Sequence, residues 1–269
     1  MRTTLRFALL LAALAGPALA DGEIIVQSTT STRNSGLYDH LLPLFEAKTG
    51  IRVRVVAVGT GQALKNARNC DGDVLLVHAK QAEQALVEAG YGAARRDLMY
   101  NDFIIVGPQA DPARISGMSD PVAAMKQIAR EKALFASRGD DSGTHKKEVM
   151  LWAKAKIDPD DSSGDWYRAS GSGMGATLNT GVGLGAYVLV DRATWISYGN
   201  KQDFEVLVEG HDLLFNQYGV ILISPDRCPQ SRAAEGQIFI DWLLGPEGQR
   251  AIGAYEIDGQ QLFFPNAGG

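Results

Sequence analysis

The sequence predicts an α/β protein of two lobes, each built on a mostly parallel sheet that is flanked by helices. Short apolar runs of strand length alternate with longer segments of helical periodicity, which is the pattern of βαβ units. Glycine or hydroxyl residues separate these segments, as expected where strands give way to helices. The chain has 269 residues, enough for two lobes of roughly 100–150 residues each.

The elements of the first half follow the order βαβαβα. Strands are predicted at 23–27, 52–58 and 74–77 because each is a short apolar or alternating run. Helices are predicted from Leu37 to Gly50, from near Gln62, and over 81–88. This order favours a parallel sheet covered by helices.

The second half continues with similar units. It contains predicted strands at 102–106, 133–137 and 219–224, and predicted helices over 121–132, 145–156, 237–244 and 248–255. Two stretches, 158–164 and the glycine run 171–185, are predicted to be irregular. We expect one lobe from 21–101 plus 219–269 and a second from 102–218. The chain would cross near 100–103 and return near 216–220.

Composition and charge exclude several classes of protein. Apolar residues make up 45% of the chain and charged residues 21%, which is ordinary for a folded globular protein and excludes global disorder. The formal net charge is −5, so neither nucleic acid nor an anionic membrane surface is an expected partner. The 30 glycines follow no fixed period, which excludes a collagen-like chain.

Residues 1–20 have the three parts of a secretory signal. Arg2 and Arg6 give a positive start, residues 7–15 form an uninterrupted apolar run, and small residues precede a predicted cut between Ala20 and Asp21. The apolar run is too short to span a hydrocarbon core about 30 Å thick, so a membrane anchor is the less favoured interpretation. Export would place Cys70 and Cys228 in an oxidising compartment, where one disulfide is slightly favoured over two unpaired thiols.

Three segments combine a strand end, small hydroxyl or glycine residues, and a helix start. They are the runs STTSTRN at 28–34, GTG at 59–61 and SRGDDSGT at 137–144. A helix N-terminus offers unpaired backbone N–H groups and a partial positive charge, which favour an anion. Any one segment is more often a simple helix cap. Together they indicate a site, because the carboxyl ends of parallel strands share one edge.

Arg138 is the candidate charged residue of this site. A structural cation is disfavoured just before a helix start, whereas a guanidinium held there by Asp140 or Asp141 can reach an oxyanion. A surface salt bridge is the equally weighted alternative at this stage.

Catalytic and cofactor sites have weaker support. A hydrolase would need Ser142, His145 and Asp141 to be mutually aligned, which neighbours on one helical turn rarely achieve. The four histidines lack the paired spacing of a zinc site. Leu64 occupies the position where a dinucleotide fingerprint requires a third small residue, and no Walker lysine follows a glycine loop. We therefore expect no cofactor, no metal ligand and no catalytic residue.

The sequence resembles the periplasmic solute-binding proteins of ABC importers, and within them the TupA family of tungstate-binding proteins. The resemblance covers nearly all of the chain after the signal, and its most specific part is the segment that contains Arg138. The stretches that carry it are STTSTRNSG at 28–36, VAVGTG at 56–61, DVLLVHA at 73–79, MYNDF at 99–103, SRGDDSGTHKKE at 137–148, GMG at 173–175, FNQYG at 215–219 and GQQLFFPNA at 259–267.

The resemblance implies a two-lobed fold of the type II periplasmic-binding-protein kind, with two crossover strands and one oxyanion site. Arg138 would be the charged clamp and Asp140 its orienting partner, and residues 173–177 would add a wall. The implied hydroxyl or backbone donors are Thr29, Thr30, Ser31, Thr60, Gly61, Ser142, Gly143 and Thr144. Which hydroxyls of 28–32 face the anion stays open.

The function that the resemblance implies is capture of tungstate and delivery to an ABC permease in the inner membrane, by a periplasmic monomer. Tungstate is a dianion without protons near neutral pH, so it requires only hydrogen-bond donors. Molybdate differs too little in size and charge to be separated by physical argument. Sulfate and phosphate remain alternatives within the class, and a secreted hydrolase is the alternative outside it.

Overall fold

The computed structural model describes residues 22–268, so the predicted signal peptide at 1–20 lies outside the described residues. No helix within this range has both the length and the apolar content that crossing a bilayer requires. The helices are α1 (Thr30–Asn34), α2 (Leu37–Thr49), α3 (Thr60–Arg68), α4 (Lys80–Glu88), α5 (Pro121–Glu131), α6 (Gly143–Ala155), α7 (Met174–Leu184), α8 (Arg192–Ser197), α9 (Ala233–Leu244) and α10 (Pro246–Gly253). The strands are β1 (Gly22–Thr29), β2 (Ile51–Val58), β3 (Val74–Val77), β4 (Gly92–Pro108), β5 (Phe135–Ser137), β6 (Tyr167–Ala169), β7 (Val188–Asp191), β8 (Phe204–Val208), β9 (Phe215–Ile223), β10 (Glu256–Ile257), β11 (Gln260–Gln261) and β12 (Phe264–Pro265).

The first lobe is built on a sheet with the strand order β2-β1-β3-β9-β4-β12. β1 pairs in parallel with β2 and with β3, as the βαβαβα order predicts. Helices then follow the carboxyl ends of these three strands at one edge of the sheet. A core centred on Phe45, Phe239 and Phe263 lies against this sheet.

Two strands connect the lobes, which confirms the predicted crossover architecture. β4 pairs with β9 as far as Asp102, and from Phe103 it pairs with β7 and β8 of the second lobe. Asn101 on β4 stands opposite Asn216 on β9, so both crossings occur side by side. The boundaries drawn at 101/102 and 218/219 remain a prediction.

The prediction of mostly parallel sheets is correct for β1–β3 and for β5 with β6, and wrong for the rest. β4 leaves the first lobe and β9 returns to it, so the two run in opposite directions and pair antiparallel. β9 is also antiparallel to β3, and β7 and β8 are antiparallel to β4. Apolar strand patterns do not encode these directions, because strands buried on both faces look alike in sequence.

The second lobe packs helices around β4, β7 and β5. One of its cores is centred on Phe135, Trp152 and Tyr187, and another contains Met174, Leu178 and Val188. The predicted irregular stretch at 171–185 is wrong, because residues 174–184 form α7. A Cβ at Gly181 would collide with the Val188 side chain, so glycine lets this helix pack closely on β7.

The disulfide between Cys70 and Cys228 is confirmed. It joins residues separated by 158 positions, with the Cα atoms 5.3 Å apart. Cys70 follows the end of α3 and Cys228 precedes α9, and both side chains belong to an apolar cluster with Leu75 and Ile221. The bridge therefore ties the helix layer of the first lobe to the segment that follows the returning crossover strand.

Candidate functional site

Three strand-to-helix junctions face one crevice between the lobes. β1 leads into α1, β2 leads into α3, and β5 leads through an arginine-containing loop into α6. Each junction brings the start of a helix to the crevice, where the first backbone N–H groups have no intrahelical partner. The topology therefore brings together the three segments that the sequence predicts to form one site.

The lobes contact each other across this crevice. The backbone N–H of Gly143, the first residue of α6, donates to Thr60 Oγ1 at 2.9 Å. A Cβ at Gly143 would lie 2.8 Å from Cε1 of His78, so the close approach requires glycine. A Cβ at Gly173 would lie 3.9 Å from Thr30 Oγ1, which places the predicted wall segment beside the first junction.

The first junction is a short array of buried hydroxyls. Thr29 is the N-cap of α1, and its Oγ1 accepts a hydrogen bond from the backbone N–H of Thr32 at 3.3 Å. The same oxygen lies 3.1 Å from Ser31 Oγ and 2.7 Å from Thr32 Oγ1. The local fold therefore engages Thr29 with its own helix, whereas Thr30 Oγ1 is buried and has no partner among the described residues.

The second junction places Thr60 and Gly61 in the first turn of α3. Thr60 is fully buried, and its Oγ1 accepts the Gly143 N–H, so this hydroxyl keeps its own proton for donation. A Cβ at Gly61 would lie 2.5 Å from a carboxylate oxygen of Asp141. Both predicted residues thus lie where the second lobe approaches the first.

The third junction holds the arginine. Arg138 is only 3% exposed, and its Nη2 donates to the carboxylate of Asp140. The other Asp140 oxygen accepts the backbone N–H of Ser142 at 3.2 Å, so both oxygens are occupied. Asp191 is fully buried nearby; burial raises its pKa, and the Arg138 charge opposes that rise. Arg138 thus pairs with Asp140, whereas the Asp141 carboxylate pairs with Lys146.

Eight buried side-chain polar atoms have no hydrogen-bond partner within the described part of the chain, and three of them belong to the first and third junctions. These three are Thr30 Oγ1, Arg138 Nε and Thr144 Oγ1. An unpaired buried polar group costs about 1–3 kcal/mol, and more when it is charged, so native proteins rarely leave such groups in the same region. All three can donate, and their residue types match a ligand that only accepts hydrogen bonds.

The hydroxyl of Ser142 has a structural contact instead of a catalytic one. Its Oγ is the N-cap acceptor for the backbone N–H of His145 at 3.2 Å. The His145 ring turns elsewhere, because its Nδ1 accepts the backbone N–H of Asp141 at 3.1 Å. The nucleophile–base hydrogen bond that a hydrolase requires is therefore not formed by this pair.

His78 is a residue of this crevice that the sequence did not single out. It follows β3 and lies 3.3 Å from Ser31 Oγ through Nε2, and 3.0 Å from Asn216 Oδ1 through Nδ1. Burial lowers the pKa of His78 to about 4, and the charges of Arg138 and Lys147 act in the same direction. The useful signal was its position after a buried strand that ends at the same edge as β1.

Metal chemistry has no support from these side chains. Residues 22–268 contain no group of three histidine, cysteine, aspartate or glutamate side chains placed to hold a metal ion. The crevice instead combines a guanidinium with hydroxyls and helix starts, which suits an anion.

Comparison with known proteins gives consistent matches over most of the chain. Residues 15–247 match the model of the family described as a PBP superfamily domain. The chain is 47% identical over 252 residues to a protein named tungstate-binding protein TupA from Peptoclostridium acidaminophilum, covering 92% of this chain and 87% of that one.

Two solved structures agree with that match. The tungstate-binding protein TupA from Desulfovibrio alaskensis G20 is 45% identical, with a TM-score of 0.79 over 91% of this chain and 99% of that one. A structure described as the tungstate ABC transporter from Geobacter sulfurreducens is 43% identical, with a TM-score of 0.79 over 87% of this chain and 98% of that one. Each of these two matches therefore covers at least 87% of this chain.

Proposed function

The chain belongs to the TupA family within the PBP superfamily, and on that premise we propose that it captures tungstate between its lobes and delivers it to an ABC-type permease. The observation that carries this proposal is the set of three buried donors, Thr30 Oγ1, Arg138 Nε and Thr144 Oγ1, that have no partner among residues 22–268. Thr30 belongs to the first junction, and Arg138 and Thr144 belong to the third, which contacts the second through Gly143 and Thr60. A tetrahedral dianion offers several acceptor oxygens at once, which is what such a set of donors requires.

The proposed anion site joins residues of all three junctions. Arg138 supplies the charge and is held by Asp140. The donors are drawn from the predicted set Thr29, Thr30, Ser31, Thr60, Gly61, Ser142, Gly143 and Thr144. Within that set, Thr30 and Thr144 contribute hydroxyls that have no other partner in the part of the chain that the structure describes. The Gly143 N–H and Thr60 Oγ1 bind each other, so this pair closes the lobes over the anion.

The carboxylates near the site favour an anion that carries no proton. Both oxygens of Asp140 are occupied by Arg138 and by the backbone of Ser142. Asp141 pairs with Lys146, and its side chain is 71% exposed. Asp140 is thus engaged by donors of the protein itself, and Asp141 faces solvent, so neither carboxylate is both buried and without a protein donor. Tungstate and molybdate are therefore favoured over phosphate, and the family resemblance favours tungstate of the two.

The proposed protein is a binding component and has no enzymatic step. The relatives are named as binding proteins, and the Ser142–His145 geometry argues independently against hydrolysis. We further propose that residues 1–20 direct export and are removed between Ala20 and Asp21, which would place the mature chain in the periplasm as a monomer. No nucleic acid and no cofactor take part in this function.

Calorimetric titration of the purified mature protein with tungstate, molybdate, sulfate and phosphate tests the proposal. We expect tight one-to-one binding of tungstate, comparable binding of molybdate, and much weaker binding of sulfate and phosphate. Equal affinity for all four anions, or no binding of tungstate, would refute it.

Isosteric variants test the hydroxyl donors separately. Thr30→Val and Thr144→Val each remove one buried donor to the anion, so each should weaken tungstate binding by about tenfold or more. The matched control is Thr180→Val, since Thr180 is half-buried on α7 and its hydroxyl donates to its own helix, at the Ala176 carbonyl. An affinity within about twofold of wild type for both Thr30→Val and Thr144→Val would exclude these hydroxyls from the site.

A further inference from the structure

Four hydrogen-bonded side chains connect α1, at the proposed anion site, to both crossover strands. Ser31 Oγ lies 3.3 Å from Nε2 of His78, whose Nδ1 lies 3.0 Å from Asn216 Oδ1. The Asn216 amide nitrogen lies 2.7 Å from Asn101 Oδ1. Asn216 belongs to β9 and Asn101 to β4, and the two stand opposite each other where the strands cross. This chain of hydrogen bonds therefore runs from the proposed site to the hinge.

All four side chains are buried. Ser31 is 1% exposed, His78 7%, and Asn101 and Asn216 2% each. The imidazole also packs against the Tyr218 ring in a tilted arrangement, with ring centroids 4.8 Å apart. Each group must therefore find its hydrogen-bond partners within the chain itself, because bulk water does not reach them once the lobes have closed.

The imidazole in this chain is neutral near pH 7. Burial lowers the pKa of His78 to about 4, and two neighbouring cations, Arg138 and Lys147, further disfavour a charged ring. A neutral imidazole has one N–H and one acceptor nitrogen, so its two contacts must be of opposite kinds. The partner of one nitrogen fixes the state of the other.

The contacts to the asparagines select one arrangement. With Asn216 Oδ1 facing the ring, Nδ1 carries the proton and donates to it. Nε2 is then an acceptor and receives the hydroxyl proton of Ser31. In this arrangement Ser31 has no proton to offer to an anion. The amide nitrogen of Asn101 is also left buried without a partner among residues 22–268.

A second arrangement uses the same heavy-atom positions. If both amides turn by 180°, the Asn101 nitrogen donates to Asn216, and the Asn216 nitrogen donates to Nδ1 of His78. The ring then carries its proton on Nε2 and donates to Ser31 Oγ. The Ser31 hydroxyl proton becomes free for another acceptor. The Asn101 nitrogen gains a partner, and the buried Asn101 atom without a partner is then its carbonyl oxygen.

We propose that His78 changes tautomer from Nδ1–H to Nε2–H when the oxyanion binds, so that Ser31 becomes a donor to the anion and both hinge asparagines reverse. The inference rests on the proposed function, because it requires a ligand that accepts the Ser31 hydroxyl. One proton leaves Nδ1 to water and one is taken up at Nε2 while the lobes are open, so the ring charge does not change. His78 is thus a positioning residue that couples the anion to the crossover strands.

Two-bond ¹H–¹⁵N spectra of protein labelled at histidine nitrogens test this inference directly, because they distinguish the two tautomers. The protein is compared with and without saturating tungstate near neutral pH, and the His78→Gln variant identifies the His78 signals by their loss. We expect the protonated nitrogen of His78 to change from Nδ1 to Nε2, whereas His40 and His211 keep their spectra. An unchanged tautomer, or a doubly protonated ring, overturns the inference.

The Ser31→Ala variant provides the decisive comparison. This variant removes the hydroxyl that accepts from Nε2–H in the bound arrangement. Saturating tungstate should therefore leave His78 of this variant as the Nδ1–H tautomer. A tautomer change that persists in Ser31→Ala overturns the proposed link. Calorimetry on the same samples distinguishes failure of the proposed function from failure of the tautomer inference. Absence of tungstate binding to the wild type refutes the proposed function and this inference together, whereas binding without the tautomer change refutes only the inference.

Discussion

Replacement of Arg138 by alanine should weaken tungstate binding by at least about 2 kcal/mol, or roughly 30-fold in Kd. The guanidinium is 3% exposed, and its Nε has no protein partner among residues 22–268. A hydrogen bond to a charged group contributes about 1.5–3 kcal/mol, so loss of one such bond already accounts for most of this figure. The variant also leaves the Asp140 carboxylate facing the dianion without a counter-charge, which adds repulsion.

Isothermal calorimetry measures this difference directly, and the matched control is Arg130→Ala. Arg130 lies in the same lobe on α5, and its side chain is 69% exposed. The control should bind tungstate as the wild type does. Arg138→Lys should fall between wild type and alanine, because an ammonium keeps the charge but lacks the fork that reaches Asp140 and the anion together. An Arg138→Ala affinity within about threefold of wild type would refute the clamp role.

Three further predictions concern closure, stability and pH. Gly143→Ala places a methyl group 2.8 Å from the His78 ring. It should therefore weaken tungstate binding by about tenfold or more, with little change in the thermal midpoint of unfolding. Unchanged affinity would contradict the lobe contact described above. Replacing Cys70 and Cys228 with serine removes a cross-link between residues separated by 158 positions. Urea titrations should show a free energy of unfolding lower by about 3–5 kcal/mol, with tungstate affinity retained. Unchanged stability would contradict this estimate. Burial raises the pKa of Glu148 to about 7 from 4.5, so the folded state holds this proton more tightly than the unfolded state does. The free energy of unfolding of the wild type minus that of Glu148→Gln should therefore fall as the pH rises from about 4.5 to about 7. A difference that stays constant or rises over this range would refute the predicted direction.

The sequence predicts most of the first lobe because its periodicities are clear. The alternation in β2 and the apolar spacing in α2 appear where they were predicted, with glycine at the helix end. It fails at α7, where glycines usually mark irregular structure and here permit close packing against β7. Strand direction is also missed for β9, since direction depends on how the chain returns and not on side-chain pattern.

Sequence patterns report local conflicts and not long-range contacts, which explains why Arg138 was predicted at the site and His78 was not. Arg138 was identifiable because a cation before a helix start is locally unfavourable and needs a reason. His78 carried no such conflict, because one histidine after an apolar strand is compatible with ordinary burial. Its contacts depend on Asn216, which lies 138 positions away and meets it only through the strand crossing. Long-range hydrogen-bond partners of this kind have no local signal.

In the proposed function, closure of the lobes is energetically coupled to the anion through the unpaired donors. Thr30 Oγ1, Thr144 Oγ1 and Arg138 Nε are buried without partners within the described chain, and each costs about 1–3 kcal/mol in that state. Water satisfies the same groups when the crevice is open, so the open form is favoured until an anion supplies acceptors to all of them together. A chain with net charge −5 cannot attract the dianion by its overall field, so these local donors provide both the affinity and the closure. In this proposal closure requires an occupied site, so the closed form is the one that a permease would recognise as carrying the ligand.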